Sequence, residues 1–149
     1  MQADDTNFTR VTTNAASDGC SAWSPDGQWL SFNSDRDGNY EIYKMKVDGT
    51  AVTRLTNNPF SDTNPSWSPD GVSIVFQSDR DIVGILLYSM ASDGNSVAQL
   101  LPGTDYARDA DWGPRQETLV YTRKRAGDWN LFAFNLATEQ ETQLSADAT

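Results

Sequence analysis

The sequence predicts an all-β chain made of three copies of one four-strand unit, and three observations carry that expectation. The pentapeptide Trp-Ser-Pro-Asp-Gly stands at residues 23–27 and again at 67–71, with a degenerate copy, Trp112-Gly113-Pro114-Arg115-Gln116, at the third place. The three Trp residues are spaced by 44 and 45 residues. Between them apolar and polar residues alternate with period two, and no ten-residue stretch carries the 3.6-residue spacing of a helix.

The units align well beyond the Trp. Leu30-Ser31-Phe32 matches Ile74-Val75-Phe76 and Leu119-Val120-Tyr121, and Ser34-Asp35-Arg36-Asp37 matches Ser78-Asp79-Arg80-Asp81. Further on, Tyr43-Lys44-Met45 matches Tyr88-Ser89-Met90 and Phe132-Ala133-Phe134. The units close on Thr53-Arg54-Leu55-Thr56, Ala98-Gln99-Leu100-Leu101 and Thr142-Gln143-Leu144-Ser145. A period in the low forties, punctuated by Asp-Gly turns, suits the four antiparallel strands of a β-propeller blade better than a helical repeat.

In the first unit the strands are expected at residues 21–24, 29–34, 40–47 and 51–56, running from the innermost outward. In the third of them Tyr43, Met45 and Val47 share one face, and Lys44 and Lys46 the other. The three blades span about residues 20–56, 64–101 and 109–145. Residues 8–12, which include Thr9-Arg10-Val11-Thr12, repeat the outer-strand signature without a unit of their own.

Composition supports this and narrows the partners. Hydrophobic residues make up 38% of the chain, with 5 Trp, 5 Tyr and 6 Phe to supply bulk from short strands. Asp outnumbers Glu by 17 to 4, which places much of the acidity in turns, where Asp bonds its own backbone. A net charge of −10 repels phosphate backbones and anionic lipid, so neither nucleic acid nor membrane insertion is expected. Met1-Gln2-Ala3-Asp4-Asp5 has neither the basic nor the apolar region of a secretory signal. The single Cys20 permits no internal disulfide and fits either redox compartment.

The Trp-Ser-Pro-Asp-Gly turn, the Ser-Asp-Arg-Asp that follows and the closing Arg-Leu-Thr resemble the repeats of TolB-type, WD-repeat-like propellers over nearly the whole chain. The resemblance implies a six-bladed propeller used for protein contacts, periplasmic or secreted, in some members fused to a peptidase whose catalytic groups lie elsewhere. It identifies a scaffold rather than an activity.

Three blades make two face-to-face contacts and leave one apolar face open at each end. At the roughly 60° step of a six-bladed ring they sweep half a circle. The expectation is therefore a homodimer closing a six-bladed ring, with a longer TolB-like or peptidase-associated propeller as the alternative. The faces expected to meet carry Leu30, Phe32, Tyr43 and Met45 in the first blade and Leu119, Tyr121, Phe132 and Phe134 in the third. Residues 9–12 and 142–145 then compete for one outer position, and the N-terminal segment is the expected latch on the other subunit.

Candidate binding residues come from the register. Cys20, Asn64 and Asp109 each stand three residues before a unit's Trp, where the innermost strand begins, and would encircle one mouth of the central channel. They form either a rim for water, a cation or a partner's side chain, or a solvated edge that satisfies only backbone. The loops at residues 13–20, 57–64 and 102–109 open on the same side and differ most among the units, and Phe60 and Tyr106 within them are candidate anchors for a protein or small ligand. In Asp35-Arg36-Asp37-Gly38-Asn39, Asp35, Asp37 and Asn39 offer alternating oxygen ligands for calcium. Their Gly, however, sits at the fourth place rather than the sixth, and a plain hairpin turn explains them as well; no other cofactor is indicated. Arg123-Lys124-Arg125 is the one basic cluster, suited to solvent or to an acidic partner.

The chain contains no His, which removes Ser-His-Asp, Cys-His and His-based zinc chemistry. A carboxylate pair of the glycosidase kind remains conceivable. Ser-Pro-Asp-Gly does not reproduce the Ser-x-Asp-x-Gly box of sialidase-like propellers, so the expectation is a non-enzymatic scaffold, with a glycan-active propeller as the alternative.

Overall fold

The computed structural model describes residues 9–81, 84–101, 106–114 and 117–145. Residue 8 of the N-terminal outer-type segment, residues 102–105 of the third loop and residues 115–116 of the degenerate turn lie outside them. Twelve strands follow in chain order: β1 (Asp18–Trp23), β2 (Trp29–Ser34), β3 (Glu41–Lys46), β4 (Thr53–Arg54), β5 (Asp62–Trp67), β6 (Ser73–Asp81), β7 (Gly84–Ala91), β8 (Ala98–Gln99), β9 (Ala107–Trp112), β10 (Thr118–Arg125), β11 (Asp128–Asn135) and β12 (Gln140–Gln143). They pair antiparallel in three four-stranded sheets, β1-β2-β3-β4, β5-β6-β7-β8 and β9-β10-β11-β12. The chain is all-β, three propeller blades in a row, and among the described residues no helix is long and apolar enough to cross a membrane.

The Trp-Ser-Pro-Asp-Gly turn is held by its own side chains. Ser24 Oγ donates to Asp26 Oδ1 at 2.5 Å and accepts from the Trp29 amide at 2.9 Å, while Asp26 Oδ1 takes the Gln28 amide at 3.0 Å. Ser68 and Asp70 repeat the pattern, with Ser68 Oγ donating to Asp70 Oδ1 at 2.6 Å and Asp70 Oδ1 accepting the Val72 amide at 3.0 Å. The hydrogen bonds from Ser24 and from the Gln28 amide hold the Asp26 carboxyl below its ordinary range. Gly27 and Gly71 close the turns at φ +68° and +73°, a conformation that taxes any residue with a Cβ.

The blades stack through two unlike faces. One core cluster joins Ile42, Leu55, Ala22 and Trp29 of blade one to Trp67, Ile74, Phe76, Tyr88 and Met90 of blade two. The next joins Val75, Leu87 and Leu101 of blade two to Ala107, Ala110, Leu119, Tyr121, Phe132 and Phe134 of blade three. Each blade thus turns its stacked Phe and Tyr rings back toward the blade before it and a mainly aliphatic set forward, to which blade one adds Trp29.

This polarity corrects two sequence expectations. Leu119, Tyr121, Phe132 and Phe134 do not form an open face; they are buried against blade two. The forward face of blade three carries instead Leu131 and Leu144, 38% and 53% exposed where their repeat counterparts Ile42 and Leu55 are 0% and 8%. The same polarity overturns the expectation, natural for a residue repeated in every unit, that each repeat Trp anchors a core. Trp67 is 8% exposed because it packs back onto blade one, whereas Trp23, with no described blade behind it, is 63% exposed. Tyr43 and Met45 are buried as their alternation implies, and Val47 falls past the end of β3 and is exposed.

The Ser-Asp-Arg-Asp segment ties each blade's edge together. In blade two, Ser78 Oγ accepts from Arg80 Nε at 2.8 Å, and the guanidinium lies over Phe76 and Tyr88, 5.5 and 4.4 Å from their centroids. Its Nη2 reaches both oxygens of the fully buried Asp62 at 2.9 and 2.8 Å. Blade one repeats this with Arg36 over Phe32 and Tyr43 and Nη2 on Asp18 at 3.0 Å. The second Asp of each motif accepts the phenol, Tyr43 donating to Asp37 and Tyr88 to Asp81.

Two outcomes follow from this packing. Trp67→Ala is expected to cost about 3–5 kcal/mol in denaturant unfolding through the cavity it leaves, and Trp23→Ala no more than about 0.5 kcal/mol when the chain is diluted to the monomer; equal losses there would contradict the backward-facing arrangement. Burial, reinforced by the bonds to Asp37 and Asp81, pushes the Tyr43 and Tyr88 phenols up from 10.0 to about 12. Their stabilisation is complete below the unfolded value and lost as pH rises through the folded one. Melting temperature should therefore fall between about pH 10 and 12 in step with tyrosinate absorbance. A profile flat through that range would contradict the phenol–carboxylate pairs.

Candidate functional site

The innermost strands are bulged at the same place in every blade. Register slips between Gly19 and Ala22 in β1, between Thr63 and Ser66 in β5, and opposite Val120 and Thr122 in β9. The residue left over in each bulge is Cys20, Asn64 or Asp109, and all three adopt left-handed backbone, at φ 49°, 52° and 56°. An αL residue inside a strand redirects its side chain out of the alternating pattern.

The three line one broad, shallow groove of about 380 Å³, together with Ser21, Ala22, Pro65, Ser66, Ala110 and Asp111. Asn64 Nδ2 donates to Asp109 Oδ1 at 3.0 Å, and one step along, Ser66 Oγ donates to Asp111 Oδ1 at 2.8 Å. The Asp109 amide donates to Gln77 Oε1 at 3.1 Å, and Arg108 Nε lies 3.3 Å from Asp109 Oδ2. Blades two and three are thus bridged across the rim by side chains, while Cys20 is an exposed free thiol.

The two anchor candidates differ in character. Phe60 is 42% exposed, with its amide donating to Asn58 Oδ1 at 2.9 Å. Tyr106 is equally exposed yet lies across Gly84 of blade two, where a Cβ would run into its ring, and makes an edge contact with Trp129 at 6.4 Å. Arg108 stacks on the other element of that pair, 4.0 Å from the Trp129 centroid.

The three residues named for calcium, Asp35, Asp37 and Asn39, each bond other groups of the chain. Asp35 Oδ1 accepts the Ser17 amide at 2.8 Å, which ties the preceding loop to the hairpin. Asp37 accepts from Tyr43 and from Arg54 Nη1 at 3.3 Å. Asn39 Nδ2 turns to the Phe60 carbonyl, to the Asn58 carbonyl at 3.1 Å and to Glu41 Oε1 at 3.1 Å. Among the described residues no group of three or more His, Cys, Asp or Glu side chains is placed to hold a metal. The basic cluster is likewise engaged, since Arg123 Nη1 and Arg125 Nη2 meet the two oxygens of Glu141 at 2.5 and 2.6 Å.

Sequence reasoning passed over the buried carboxylates. Glu41 is fully buried and accepts from Arg54 Nη2 at 2.9 Å, Thr56 Oγ1 at 2.5 Å and the Asn58 amide at 2.8 Å. Asp18 is half of another such lock: burial alone would raise its carboxyl, but hydrogen bonds from Ser34, Arg36 and Thr12 outweigh it and hold the group low. The signal available was the pairing of Arg and Thr at alternate outer-strand positions with an acid in the third strand.

The fold is a β-propeller segment whose inner strands line a polar groove. The family model of the TolB beta propeller domain matches residues 37–149, and the chain belongs to that family. Among solved structures it is similar to TolB from Acinetobacter baumannii, with a TM-score of 0.81 at 24% identity over 93% of this chain and 35% of that one. The putative TolB from Agrobacterium tumefaciens gives 0.79 at 24% identity over 91% and 51%. A puromycin-hydrolyzing peptidase from Mycobacterium tuberculosis gives 0.71 at 14% identity over 90% and 21%. The chain therefore spans about a third to a half of the TolB structures it resembles. No curated protein matches it.

The left-handed rim gives a direct check. Asn64→Val should destabilise the chain by about 1–2 kcal/mol more than Asn64→Gly, because a β-branched residue resists αL backbone. Both variants lose the bond to Asp109, so equal melting temperatures would refute a backbone-fixed rim.

Proposed function

We propose that the chain is a non-catalytic binding scaffold, one half of a six-bladed ring whose channel mouth, lined by Cys20, Asn64 and Asp109, is the recognition surface for a protein or small ligand. The observation that supports this most is the geometry of those three residues. They occupy one repeat position, share one strained backbone conformation and differ in side chain. The fold would be served by glycine at all three. Exposed Phe60 on the same side extends the surface. The proposal includes the periplasmic or secreted setting that the family implies.

Ring closure by a second copy is the simplest assembly for half a circle, and the unlike faces supply its rule. The Leu131 and Leu144 face of one copy would meet the Trp23 and Leu30 face of the other, twice about a two-fold axis. Folding and assembly would then be coupled, and the melting temperature would rise with concentration. Light scattering after gel filtration reads the mass, and Leu131→Asp should halve that of a dimer. A folded monomer with a concentration-independent melt would exclude self-closure and leave blades from elsewhere to complete the ring.

The rim itself is tested independently of assembly. Alkylating exposed Cys20 with a bulky maleimide should leave the melting temperature unchanged and weaken capture of partners from a periplasmic extract by at least about tenfold, as expected when a central contact is blocked. Undiminished capture would overturn the rim as the recognition surface.

A further inference from the structure

The turns that follow β1 and β5 enclose a second cavity, of about 250 Å³, which shares no residue with the rim groove. The two turns touch: a Cβ on Gly71 would stand 3.6 Å from Pro25 Cδ. Trp29 and Lys44 of blade one and Trp67 and Ser92 of blade two line the cavity, with Asp26 and Asp70 beside them. Two of these residues depart from the repeat. Where blade one has Trp29 and Lys44, blade two has Ser73 and Ser89, and blade three has Thr118 and Ala133. The junction of blades two and three therefore forms with serine at both places, so stacking itself requires neither an indole nor an ammonium there.

The cavity offers donors and acceptors together. Lys44 Nζ gives one of its three N–H groups to the Ser92 carbonyl at 2.7 Å and lies 5.2 Å from the centre of the Trp29 ring. Trp67 is 8% exposed, and its indole N–H has no partner among the described residues, a costly state for a buried donor. On the acceptor side, the bonds that close the turns fall on Oδ1 of Asp26 and Oδ1 of Asp70, which leaves Oδ2 of each for a ligand. Hydrogen bonds from Ser24 and Ser68, with those from the Gln28 and Val72 amides, hold both carboxyls below their ordinary range.

Three classes of ligand can be weighed against that set. An anion would meet two carboxylates in a chain of net charge −10. An organic cation would satisfy Asp26 and Asp70 but stand against Lys44 and leave the Trp67 N–H unpaired. A neutral polyol brings hydroxyls that both donate and accept, and a pyranose adds an apolar C–H face for an indole. We propose that this cavity binds one neutral pyranose unit, its hydroxyls donating to Asp26 and Asp70 and accepting from Lys44 and the Trp67 N–H, its C–H face against Trp29. The site needs only blades one and two, so it stands apart from ring closure and from the rim.

The test follows the indole N–H signals of the isotope-labelled chain during titration with methyl β-D-glucopyranoside, methyl α-D-mannopyranoside and N-acetylglucosamine. At least one sugar should shift the Trp29 and Trp67 signals saturably, with a dissociation constant of about 1 mM, as suits a neutral ligand of that size, and leave Trp129 in place. Lys44→Met, and Asp70→Asn, which keeps an oxygen for Ser68 and the Val72 amide, should each weaken binding about tenfold, the loss expected of one hydrogen bond to a charged group. The remaining indole signals should keep their dispersion in both variants, which separates lost binding from lost fold. No saturable shift with any of the three sugars, shifts confined to Trp23 or Trp129, or full affinity in both variants would overturn the proposal. Tighter binding of methylguanidinium or acetate than of every sugar would overturn it too. Alkylated Cys20, which blocks the rim, should leave the sugar titration unchanged, so failure here and failure at the rim are read apart.

Discussion

The backward face of each blade is a plate of aromatic rings braced by a guanidinium, and it fits the aliphatic forward face of the blade before it. Phe76 and Tyr88 stack at 5.9 Å with Arg80 over both, and Phe32 with Tyr43 at 5.8 Å under Arg36. The arrangement gives the stack a direction, since the stacked Phe and Tyr rings of one blade meet the mainly aliphatic forward face of the blade before it. It also explains why a repeat Trp is a core residue at position 67 and a surface residue at position 23. The interface is directional, so the chain has a head and a tail that differ in what they accept.

The charges around those plates are locks rather than reactive groups. A buried carboxylate is costly unless its lone pairs are filled. Asp62 has Arg80 on both oxygens and Asn58 Nδ2 at 2.7 Å on one of them. Glu41 has a guanidinium, a hydroxyl and a backbone amide, so no lone pair is left pointing at a cavity.

Much of this architecture could be read from sequence because turns and alternation are local. The Trp-Ser-Pro-Asp-Gly turn closes within five residues, and the second strand of blade one runs as expected from Trp29 to Ser34. Position relative to the Trp also brought Cys20, Asn64 and Asp109 together, since a constant offset in a repeat becomes a constant radius in a ring. What was not legible depends on partners far along the chain. Asp37 looked like a metal ligand because Tyr43 and Arg54, which occupy it, are six and seventeen residues away. The direction of the aromatic face was hidden for a different reason: period two separates the two faces of a strand but does not say which neighbour each one meets.

The rim is where the three repeats are free to differ. Elsewhere a change in one strand is answered within the same blade, Asn130 with Ser145 in blade three standing where Glu41 with Thr56 stands in blade one. At the bulges the αL backbone sets the position and the side chain faces a groove instead of a packed plate, with Asn64 and Asp109 joined across blades two and three and Cys20 exposed. Each keeps a strained αL conformation that glycine would hold at less cost. Three equivalent places thus carry the same αL backbone with three different side chains, Cys20, Asn64 and Asp109. Under the binding reading proposed above, that asymmetry on a repeated frame is what would let the rim fit a partner with no symmetry of its own.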